Sequence, residues 1–551
     1  MKKWKLLSNN TKLEKPDQIV EQLLVNRGIE KNKIGEFLNP NLSQVNFKSV
    51  GIDQKEVKKA VDRIQKVIKN KEKVIIFGDY DVDGICGTTI LWEVIYDSHK
   101  NTFPYIPDRE EEGYGLSVSG IKNILVKYPD CKLIITVDNG IVANEAVDFA
   151  NSKNIDVIIT DHHLKGKRLP KAHSIIHTTH ICGSAVAWLF SKELDLTNKF
   201  KNHLELAAIA TVADLVPLQG ANRTILKFGL DALKQTKRIG LTELLIESGI
   251  DRYKLGTYEI GHIIGPRINA SGRITHALDS LRLLCTKNHL KAREFATLLG
   301  KTNKDRQLMT SQTFSEARSS FSKEKLSSKI IFASHKSYNQ GIIGLVASKL
   351  VEEFYRPSFV LSIGEKFSKG SARSISGLNI IEFIRLSSPL LAEAGGHAMA
   401  AGFTVETARI DDLKKDFEKR ALELINEELL QKTINIDFVL DLEHINFDLF
   451  DAIQKLAPFG IGNPEPVFVA RKVKIEDLRL VGAGKHVKLK VKSQKSKVKS
   501  EEFDSIAFGM GEKAEELNIG GTIDIVYTIS LDTWNGTKKL QLKIRDIETN
   551  K

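Results

Sequence analysis

The sequence predicts an α/β protein in which two α/β lobes are joined by a long helix and followed by a C-terminal antiparallel β-barrel. Three observations predict this class. Residues 51–220 alternate apolar β-branched runs with amphipathic stretches, which is typical of a parallel sheet covered by helices. Residues 326–430 repeat that alternation on a smaller scale. Residues 431–551 carry short alternating strands separated by turn residues, the pattern of a small barrel.

The individual elements follow in chain order. Residues 1–50 predict a helical lead-in. Residues 221–325 predict a helical connector, because strand signals fade there and the polar stretch 291–321 has a thin apolar face suited to a bridging helix. The strands predicted for the two lobes are KVIIF (73–77), KLIITV (132–137), DVIIT (156–160), KIIFAS (329–334) and FVLSIG (359–364).

Composition narrows the function classes. The 551 residues carry a net charge of +12 with a pI of about 9.1, which favours a polyanionic partner such as nucleic acid, although a solvated basic surface is the alternative. The four cysteines form no C-x-x-C pair, which fits a reducing cytoplasm. No apolar run approaches about 18 residues, so we expect neither secretion nor membrane spanning.

Acidic and histidine side chains end several apolar runs. Asp79, Asp81 and Asp83 follow the first predicted strand, Asp138 follows the second, and Asp161-His162-His163 follow the third. The carboxyl ends of parallel strands meet at one edge of the sheet, and carboxylates brought together there repel unless a cation compensates. Asp214 ends a further apolar run. Together these residues favour a two-metal hydrolase.

Each of these residues also has a structural interpretation. Asp214 alone could be a helix-end residue, and the two histidines alone could lie in a surface turn.

The imidazoles of His162 and His163 shift the metal preference from magnesium alone toward manganese or zinc. HTTHIC (177–182) is discounted as a zinc site, because no further ligand pair accompanies it.

Two segments, GPRINASGR (265–273) and GSARSI (370–375), predict phosphate-binding loops. The arginines Arg267, Arg273 and Arg373 can donate paired hydrogen bonds to phosphate, and Gly370 and Ser371 can complete an anion nest. The alternative is a pair of turns with surface guanidiniums.

The lysine-rich stretch 485–499 predicts a basic barrel face that tracks a single strand, or an edge strand protected by lysines. Phe508, Tyr527 and Trp534 either stack bases or pack the barrel core.

The ordered motifs resemble the DHH phosphoesterase superfamily, which is named for a triplet like that at 161–163. DYDVDG, TVDNG, DHH and ADLVPL match the catalytic-domain motifs, and GPRINASGR matches the segment after them. GSARSI and GGHAMAAG (395–402) match the associated DHHA1-type domain. LAPFGIGNPEPVF (456–468) opens the OB-like barrel of the nuclease branch. The implied domains are a DHH catalytic domain (51–220), a DHHA1-type substrate-binding domain (326–430) and an OB-like nucleic-acid-binding domain (431–551).

The resemblance also implies roles for single residues. Asp138 is the expected bridge between two ions, and Asp161 is expected to hold a histidine tautomer through a hydrogen bond. Many relatives carry a His at the position of Ile75. The nuclease branch, like this chain, has no His there and has the additional Asp83. The resemblance therefore does not assign each Asp to an ion. The metal shell that it implies is Asp79, Asp81, Asp83, Asp138, His162, His163 and Asp214.

The implied substrate contacts lie in the other motifs. Ser371 and Arg373 are expected to anchor the 5′ end of the substrate. Asn269 is expected to orient substrate or a metal-bound water, and His397 is expected to contact phosphate, with a buried structural histidine as its alternative.

The implied activity is that of a 5′→3′ exonuclease that uses two Mn²⁺ or Mg²⁺ ions to degrade single-stranded DNA to mononucleotides in DNA repair and recombination. A helicase and a single-strand-binding protein are candidate partners of a cytoplasmic monomer. One alternative is a phosphodiesterase for very short oligonucleotides or cyclic dinucleotides, but such enzymes typically lack the barrel. Another is an inactive single-strand-binding scaffold, but the acidic shell is intact.

Overall fold

A computed structural model describes residues 2–8, 15–109, 111–194, 203–321, 328–494, 502–533 and 536–549. The chain divides into two compact units. The larger unit comprises Leu42–Val216 and Thr224–Gln431, and the smaller comprises Met1–Asn41, Pro217–Arg223 and Lys432–Lys551. Among the described helices, none combines the length and the hydropathy that a membrane span requires.

The larger unit begins with a five-stranded parallel sheet. Its strands are buried on both faces, which explains why their sequences are continuous β-branched runs. In spatial order they are Thr102–Tyr105, Lys73–Gly78, Cys131–Val137, Asp156–Asp161 and Ser174–His177. The helices of this region are Gln54–Asn70, Val82–Ser98, Val118–Lys127, Asn144–Ser152, Gly183–Leu194 and Leu204–Ala213.

The connector is helical, as predicted, and its long helix is His289–Ser319. GPRINASGR does not form the predicted loop. It is the helix Gly265–Ile274, where Gly272 allows the close approach of the Tyr80 carbonyl. The other helices are Gly220–Lys234, Ile239–Ser248, Thr257–Glu259, the π-helical turn Ile260–Ile264 and Leu278–Cys285.

A second, mixed sheet follows in the same unit. Its spatial order is Leu391–His397, Ala400–Glu406, Phe367–Arg373, Ser358–Ser362 and Ile331–His335, and only the last two strands are parallel to each other. The helices are Ile343–Phe354, Ile380–Arg385 and Ile410–Leu424. GSARSI was expected to be a loop, but its first half completes the central strand. Gly370 is required there because the Phe403 ring packs where a side chain would lie.

The smaller unit contains the barrel. The strand Phe468–Val481 pairs with both His486–Ser493 and Thr522–Asp532, and this double pairing closes the sheet. The remaining barrel strands are Phe438–Val439, Glu502–Ala507 and Lys539–Thr549, and the helices of the unit are Pro16–Asn26, Ile34–Leu38 and Phe447–Gln454. The predicted helical lead-in is only partly helical, because Lys3–Leu6 forms a strand that pairs in parallel with Thr433–Ile436.

The barrel strand His486–Ser493 alternates as expected. Val487, Leu489 and Val491 point into the core, while the intervening lysines point outward. Tyr527 is fully buried and donates its hydroxyl to the Leu440 carbonyl, so it packs the core, whereas Phe508 is 59% exposed. Trp534 and residues 495–499 of the lysine-rich stretch lie outside the described residues.

Arg223 organises the smaller unit. Its guanidinium is 1% exposed, lies 4.0 Å from the centre of the Phe37 ring and donates to the carbonyls of Phe37, Lys455 and Leu456. Two of these carbonyls directly follow the helix Phe447–Gln454, where a cation is favourable.

Replacing Arg223 with Ala should destabilise the smaller unit. The substitution removes three hydrogen bonds, two of them buried, and the ring contact with Phe37, so we expect the free energy of unfolding to fall by about 3 kcal/mol. Denaturant unfolding followed by fluorescence measures this change. Arg545→Ala is the matched control, because Arg545 forms an exposed ion pair with Glu465 and should cost little. Equal losses in the two variants would contradict the assignment.

Candidate active site

The predicted acidic residues meet at the carboxyl edge of the parallel sheet. The register places Gly78 opposite Val137 and Val137 opposite Thr160, so the residues that follow these strands lie level with one another. Asp81 caps the helix Val82–Ser98 and accepts from the Gly84 amide, and Asp83 lies in the first turn of that helix. Asp214 is the C-cap of the helix Leu204–Ala213.

His162 is at the centre of the cluster. Its Nε2 lies 3.1 Å from the Asp138 Oδ1, 3.6 Å from the Asp214 Oδ2 and 3.7 Å from the Asp83 Oδ2. These separations suit a shared cation. Three groups have ligand atoms within 4.8 Å of one another: Asp138 with His162 and His163, Asp83 with His162 and Asp214, and Asp79 with Asp81 and Asp138.

Backbone amides hold Asp83 in place. The amides of Gly183 and Ser184, at the start of the helix Gly183–Leu194, donate to its two carboxylate oxygens at 2.7 and 2.6 Å. Gly183 also makes room for the neighbouring ligand, because a Cβ atom there would lie 2.7 Å from the Asp138 Cβ. Neither Gly183 nor Ser184 is predicted from the sequence, where the only signal is a helix that begins at a Gly-Ser pair.

Asp138 adopts a backbone conformation that is rare for a residue with a side chain. Its φ is 62°, and Asn139 stabilises the turn by donating to the Val137 carbonyl at 2.8 Å. Such conformations persist where the surrounding structure demands them. The Asp138 Oδ1 and the His162 Nε2 are both buried and have no hydrogen-bond partner. These unsatisfied atoms, together with the hard oxygen and imidazole donors, fit a divalent metal site.

Burial and mutual repulsion raise the carboxylate pKa values. Burial, followed by the charges of the neighbouring aspartates, raises the pKa of Asp79, Asp81 and Asp138 above the ordinary range. The same causes raise the pKa of Asp214 to about 9. Bringing this cluster into its charged form therefore requires positive charge at the same place.

The two histidines differ in environment. Burial lowers the pKa of His162, which keeps its imidazole neutral and able to bind a metal. Burial also opposes protonation of His163, but the hydrogen bond and charge of Asp161 outweigh it and raise the pKa of His163 to about 9. Asp161 accepts from the His163 Nδ1 at 2.8 Å and from the amides of His162 and Ile141, so it lies behind the histidines, outside the three ligand groups.

A cluster of guanidiniums accompanies the acidic cluster. Burial, followed by the charges of Arg109, Arg306 and Arg373, lowers the pKa of Arg273 to about 10. None of the four arginines forms an ion pair within the described chain, and the buried Arg306 Nε has no hydrogen-bond partner. Arg373 donates to the Ser371 hydroxyl at 3.2 Å. Unpaired guanidiniums this close together favour an anionic ligand.

A helix start adds to this cluster. Gly344 lies in the first turn of the helix Ile343–Phe354, and a Cβ atom there would lie 2.9 Å from the Arg373 Nη2 and 3.0 Å from the Ser371 Oγ. The positive end of this 12-residue helix therefore adjoins Ser371 and Arg373, the residues predicted to bind the 5′ end.

Comparisons with known proteins agree with this geometry. Three family models match: the DHH family N-terminal domain over residues 73–216, the DHHA1 domain over 327–424 and the RecJ OB domain over 436–546. The single-stranded-DNA-specific exonuclease RecJ of Bacillus subtilis is 36% identical, over 96% of this chain and 67% of that protein. RecJ of Salmonella typhimurium is 30% identical, over 89% of each. This chain belongs to the RecJ family.

Solved RecJ structures have the same fold. RecJ of Thermus thermophilus in complex with Mn²⁺ matches with a TM-score of 0.84 at 24% identity, over 100% of this chain and 80% of that one. An exonuclease RecJ bound to manganese matches with a TM-score of 0.58 at 29% identity, over 67% of this chain and 94% of that one. The two lobes and the OB-like barrel predicted from the sequence are thereby confirmed.

Three of the predicted substrate residues have structural partners in this RecJ-family chain. Arg267 is not among the convergent guanidiniums, because it is paired with Glu247 at 2.8 Å. Asn269 accepts from the Val82 amide at 2.9 Å and so supports the turn that carries the aspartates. Gly370 lies in a central strand and not in an anion nest, since its position is dictated by the Phe403 ring.

His397 and Tyr114 border the histidine pair. The His397 ring lies 6.3 Å from that of His163 with an interplanar angle of 20°. A 3.0 Å hydrogen bond joins the Tyr114 hydroxyl to the His163 Nε2. Tyr114, Arg109 and Arg306 were not predicted, because the stretch around 109–114 has no motif spacing and Arg306 is one of many charges on a long polar helix.

Replacing Gly183 with Ala should weaken divalent metal binding. The added methyl group would displace the Asp138 carboxylate. We therefore expect the Mn²⁺ affinity to fall by about tenfold to a hundredfold, which is the usual effect of disturbing a residue that positions a metal ligand. Titration calorimetry measures the affinity. Gly166→Ala is the control, because a Cβ there meets Val142 at an ordinary 3.5 Å. Unchanged affinity in Gly183→Ala would contradict this role.

The raised pKa of Asp214 predicts a pH-dependent stability for the metal-free protein. The folded state retains the Asp214 proton up to about pH 9, whereas the unfolded state releases it near pH ~4. Its contribution to stability is therefore lost as the pH rises through this window. Asp214→Asn is always neutral, so its gain in Tm over the wild type should grow from pH ~5 to pH ~8.

Thermal unfolding in the presence of EDTA tests this prediction. Asp148→Asn provides the control, because Asp148 lies at the surface in an exposed ion pair with Arg168. A constant difference between Asp214→Asn and the wild type across the pH range would refute it.

Proposed function

We propose that this protein is a metal-dependent 5′→3′ exonuclease that hydrolyses single-stranded DNA to mononucleotides. The observation that carries the proposal is Asp138, a buried carboxylate that belongs to two adjacent ligand groups and has an unsatisfied oxygen. A carboxylate so placed suits a bridge between two cations. The RecJ relatives, named as single-stranded-DNA-specific exonucleases, supply the substrate class.

The residues divide into two sets of metal ligands. We assign Asp83, Asp138, His162 and Asp214 to one ion, because His162 lies within 3.7 Å of all three carboxylates. We assign Asp79, Asp81 and Asp138 to the other ion. His163 borders both sets, with its Nδ1 held by Asp161. When bound, Mn²⁺ or Mg²⁺ would lower the pKa of water and neutralise charge on the scissile phosphate.

The guanidinium cluster is proposed to hold the 5′ end. Ser371, Arg373 and Arg273 would bind the terminal phosphate, supported by Arg109 and Arg306. Their mutual repulsion is relieved when an anion binds, which makes a phosphate a strongly preferred ligand. Because the cluster lies on elements packed beside the acidic cluster, an anchored 5′ end would set the position of the cut. A fixed position near the end gives short products and a defined polarity.

The smaller unit is proposed to bind single-stranded DNA as well. Outward lysines on the strand His486–Ser493 provide charge for phosphates, and the exposed Phe508 ring provides a surface for a base. We further propose that the protein acts in the cytoplasm as a monomer in DNA repair and recombination. A helicase and a single-strand-binding protein are the proposed partners, and the four free thiols are compatible with a reducing compartment.

End-labelled DNA tests the activity directly. Full-length protein is incubated with Mn²⁺ and single strands labelled at the 5′ or 3′ end, with blunt duplex as a further substrate. We expect the 5′ label to be released first as a mononucleotide, and Asp138→Ala to lower the rate by at least about a thousandfold, because both proposed metal sets lose a ligand. Asp148→Ala, which removes an exposed carboxylate, should keep the wild-type rate.

Other outcomes separate the alternatives. Equal release from both ends would exclude 5′ polarity. Degradation of duplex at the same rate would exclude strand selectivity. Full activity of Asp138→Ala would place the chemistry elsewhere.

A further inference from the structure

A single helical segment connects the two charged clusters to an exposed aromatic pair. Residues 257–274 are helical throughout, through Thr257–Glu259, the π-helical turn Ile260–Ile264 and Gly265–Ile274. A Cβ atom at Gly265 would lie 3.7 Å from the Ala213 Cβ and 3.9 Å from the Val82 Cγ2. Both neighbours directly adjoin proposed metal ligands. The middle of this segment therefore packs against the acidic cluster.

Four polar or aromatic residues lie on one face of this segment. Tyr258, His262, Asn269 and Arg273 are spaced by four, seven and four residues, close to whole numbers of helical turns, so they lie along one side of the segment. Asn269 contacts the aspartate-bearing turn, and Arg273 belongs to the guanidinium cluster. The same face thus carries the two rings at its N-terminal end.

The two rings stack on each other and leave outer ring faces at the surface. Their centroids lie 4.5 Å apart with an interplanar angle of 16°, and the His262 Nδ1 is hydrogen-bonded to the Tyr258 carbonyl, which fixes the ring. Tyr258 is 62% exposed and His262 is also exposed. Packing in the core therefore does not account for the pair. His262 lies in the π-helical turn, a feature often found at functional sites.

We propose that Tyr258 and His262 form a stacking platform for a base of the single-stranded substrate on the 3′ side of the scissile phosphate. This inference rests on the proposed nuclease function. With the 5′ phosphate at Arg273 and the scissile phosphate at the acidic cluster, the strand continues along the same helix face toward the rings. Exposed aromatic rings bind bases of any sequence, which suits an exonuclease that must accept every nucleotide.

The distance fixes which nucleotides reach the platform. Seven residues separate Asn269 from His262, so the rings lie about 10 Å along the helix axis from the acidic cluster. At the ~3.4 Å rise of stacked bases, this distance spans about three nucleotides. The platform is therefore expected to contact bases at about the third to fifth positions from the 5′ end.

Equilibrium binding tests the platform without hydrolysis. Full-length protein in EDTA is titrated with a fluorescent, 5′-phosphorylated oligothymidylate, and the anisotropy gives the Kd. The double variant Tyr258→Ala/His262→Ala should bind about tenfold more weakly, the contribution of one stacked base. Tyr258→Phe should bind like the wild type, since it keeps the ring. The matched control is Tyr253→Ala, because Tyr253 is 78% exposed but lies outside this helical segment.

A substrate change makes the test specific. Removing the bases at about the third to fifth positions should weaken binding to the wild type but not to the double variant. Wild-type affinity of the double variant, an equal loss in Tyr253→Ala, or an undiminished effect of base removal in the double variant would each overturn the proposal. Because no cleavage is measured, a failure of the proposed exonuclease activity would appear only in the end-label assay.

Discussion

Repulsion among buried carboxylates is the constraint on which the rest of this structure depends. Five aspartates converge at one edge of the parallel sheet, and burial and mutual charge raise the pKa of four of them. Such a cluster is costly for the fold unless it binds cations or protons. The repulsion is concentrated at the sheet edge, where the unsatisfied Asp138 Oδ1 and His162 Nε2 face each other. A metal-dependent function follows from this arrangement.

Close backbone packing holds the cluster together. A Cβ atom at Gly84 would lie 2.5 Å from the Asp79 backbone, and one at Gly272 would lie 2.5 Å from the Tyr80 carbonyl. With Gly183 against Asp138, three elements approach the ligand-bearing turns more closely than a side chain would permit. The left-handed conformation of Asp138 belongs to the same arrangement, because it turns the carboxylate toward His162. Rigid support of this kind fixes ligand positions before a metal binds.

The guanidinium cluster mirrors the acidic one with opposite charge. Arg109, Arg273, Arg306 and Arg373 repel one another as the aspartates do, and a phosphate would relieve them as a cation relieves the carboxylates. One helix, Gly265–Ile274, connects the two clusters: Asn269 supports the aspartate turn, while Arg273 joins the guanidiniums. A polyanionic strand bound by the guanidiniums, and at the aspartates through metal cations, would be positioned by charge before any base is recognised.

The sequence by itself determined the fold class and the acidic shell. Strand periodicity is local, so β-branched runs that end in Asp79, Asp138 and Asp161 identify both the sheet and its functional edge without long-range information. Segments whose form depends on distant partners were predicted wrongly. GSARSI reads as a phosphate-binding loop, yet pairing on both sides makes residues 370–373 part of a central strand. GPRINASGR reads as a loop, yet it forms the helix Gly265–Ile274, which packs closely against the Tyr80 carbonyl.

Only the tertiary structure decided which charges work together. Arg267 and Arg273 occur in the same motif, but Glu247 pairs with the first and leaves the second for the guanidinium cluster. Only the fold brings Arg109, Tyr114 and Arg306 to the site, because none of them lies in a sequence motif. The proposed division of the aspartates between two ligand sets likewise depends on His162, which approaches Asp83, Asp138 and Asp214 across the sheet edge. Distances between residues far apart in sequence are not encoded in local patterns.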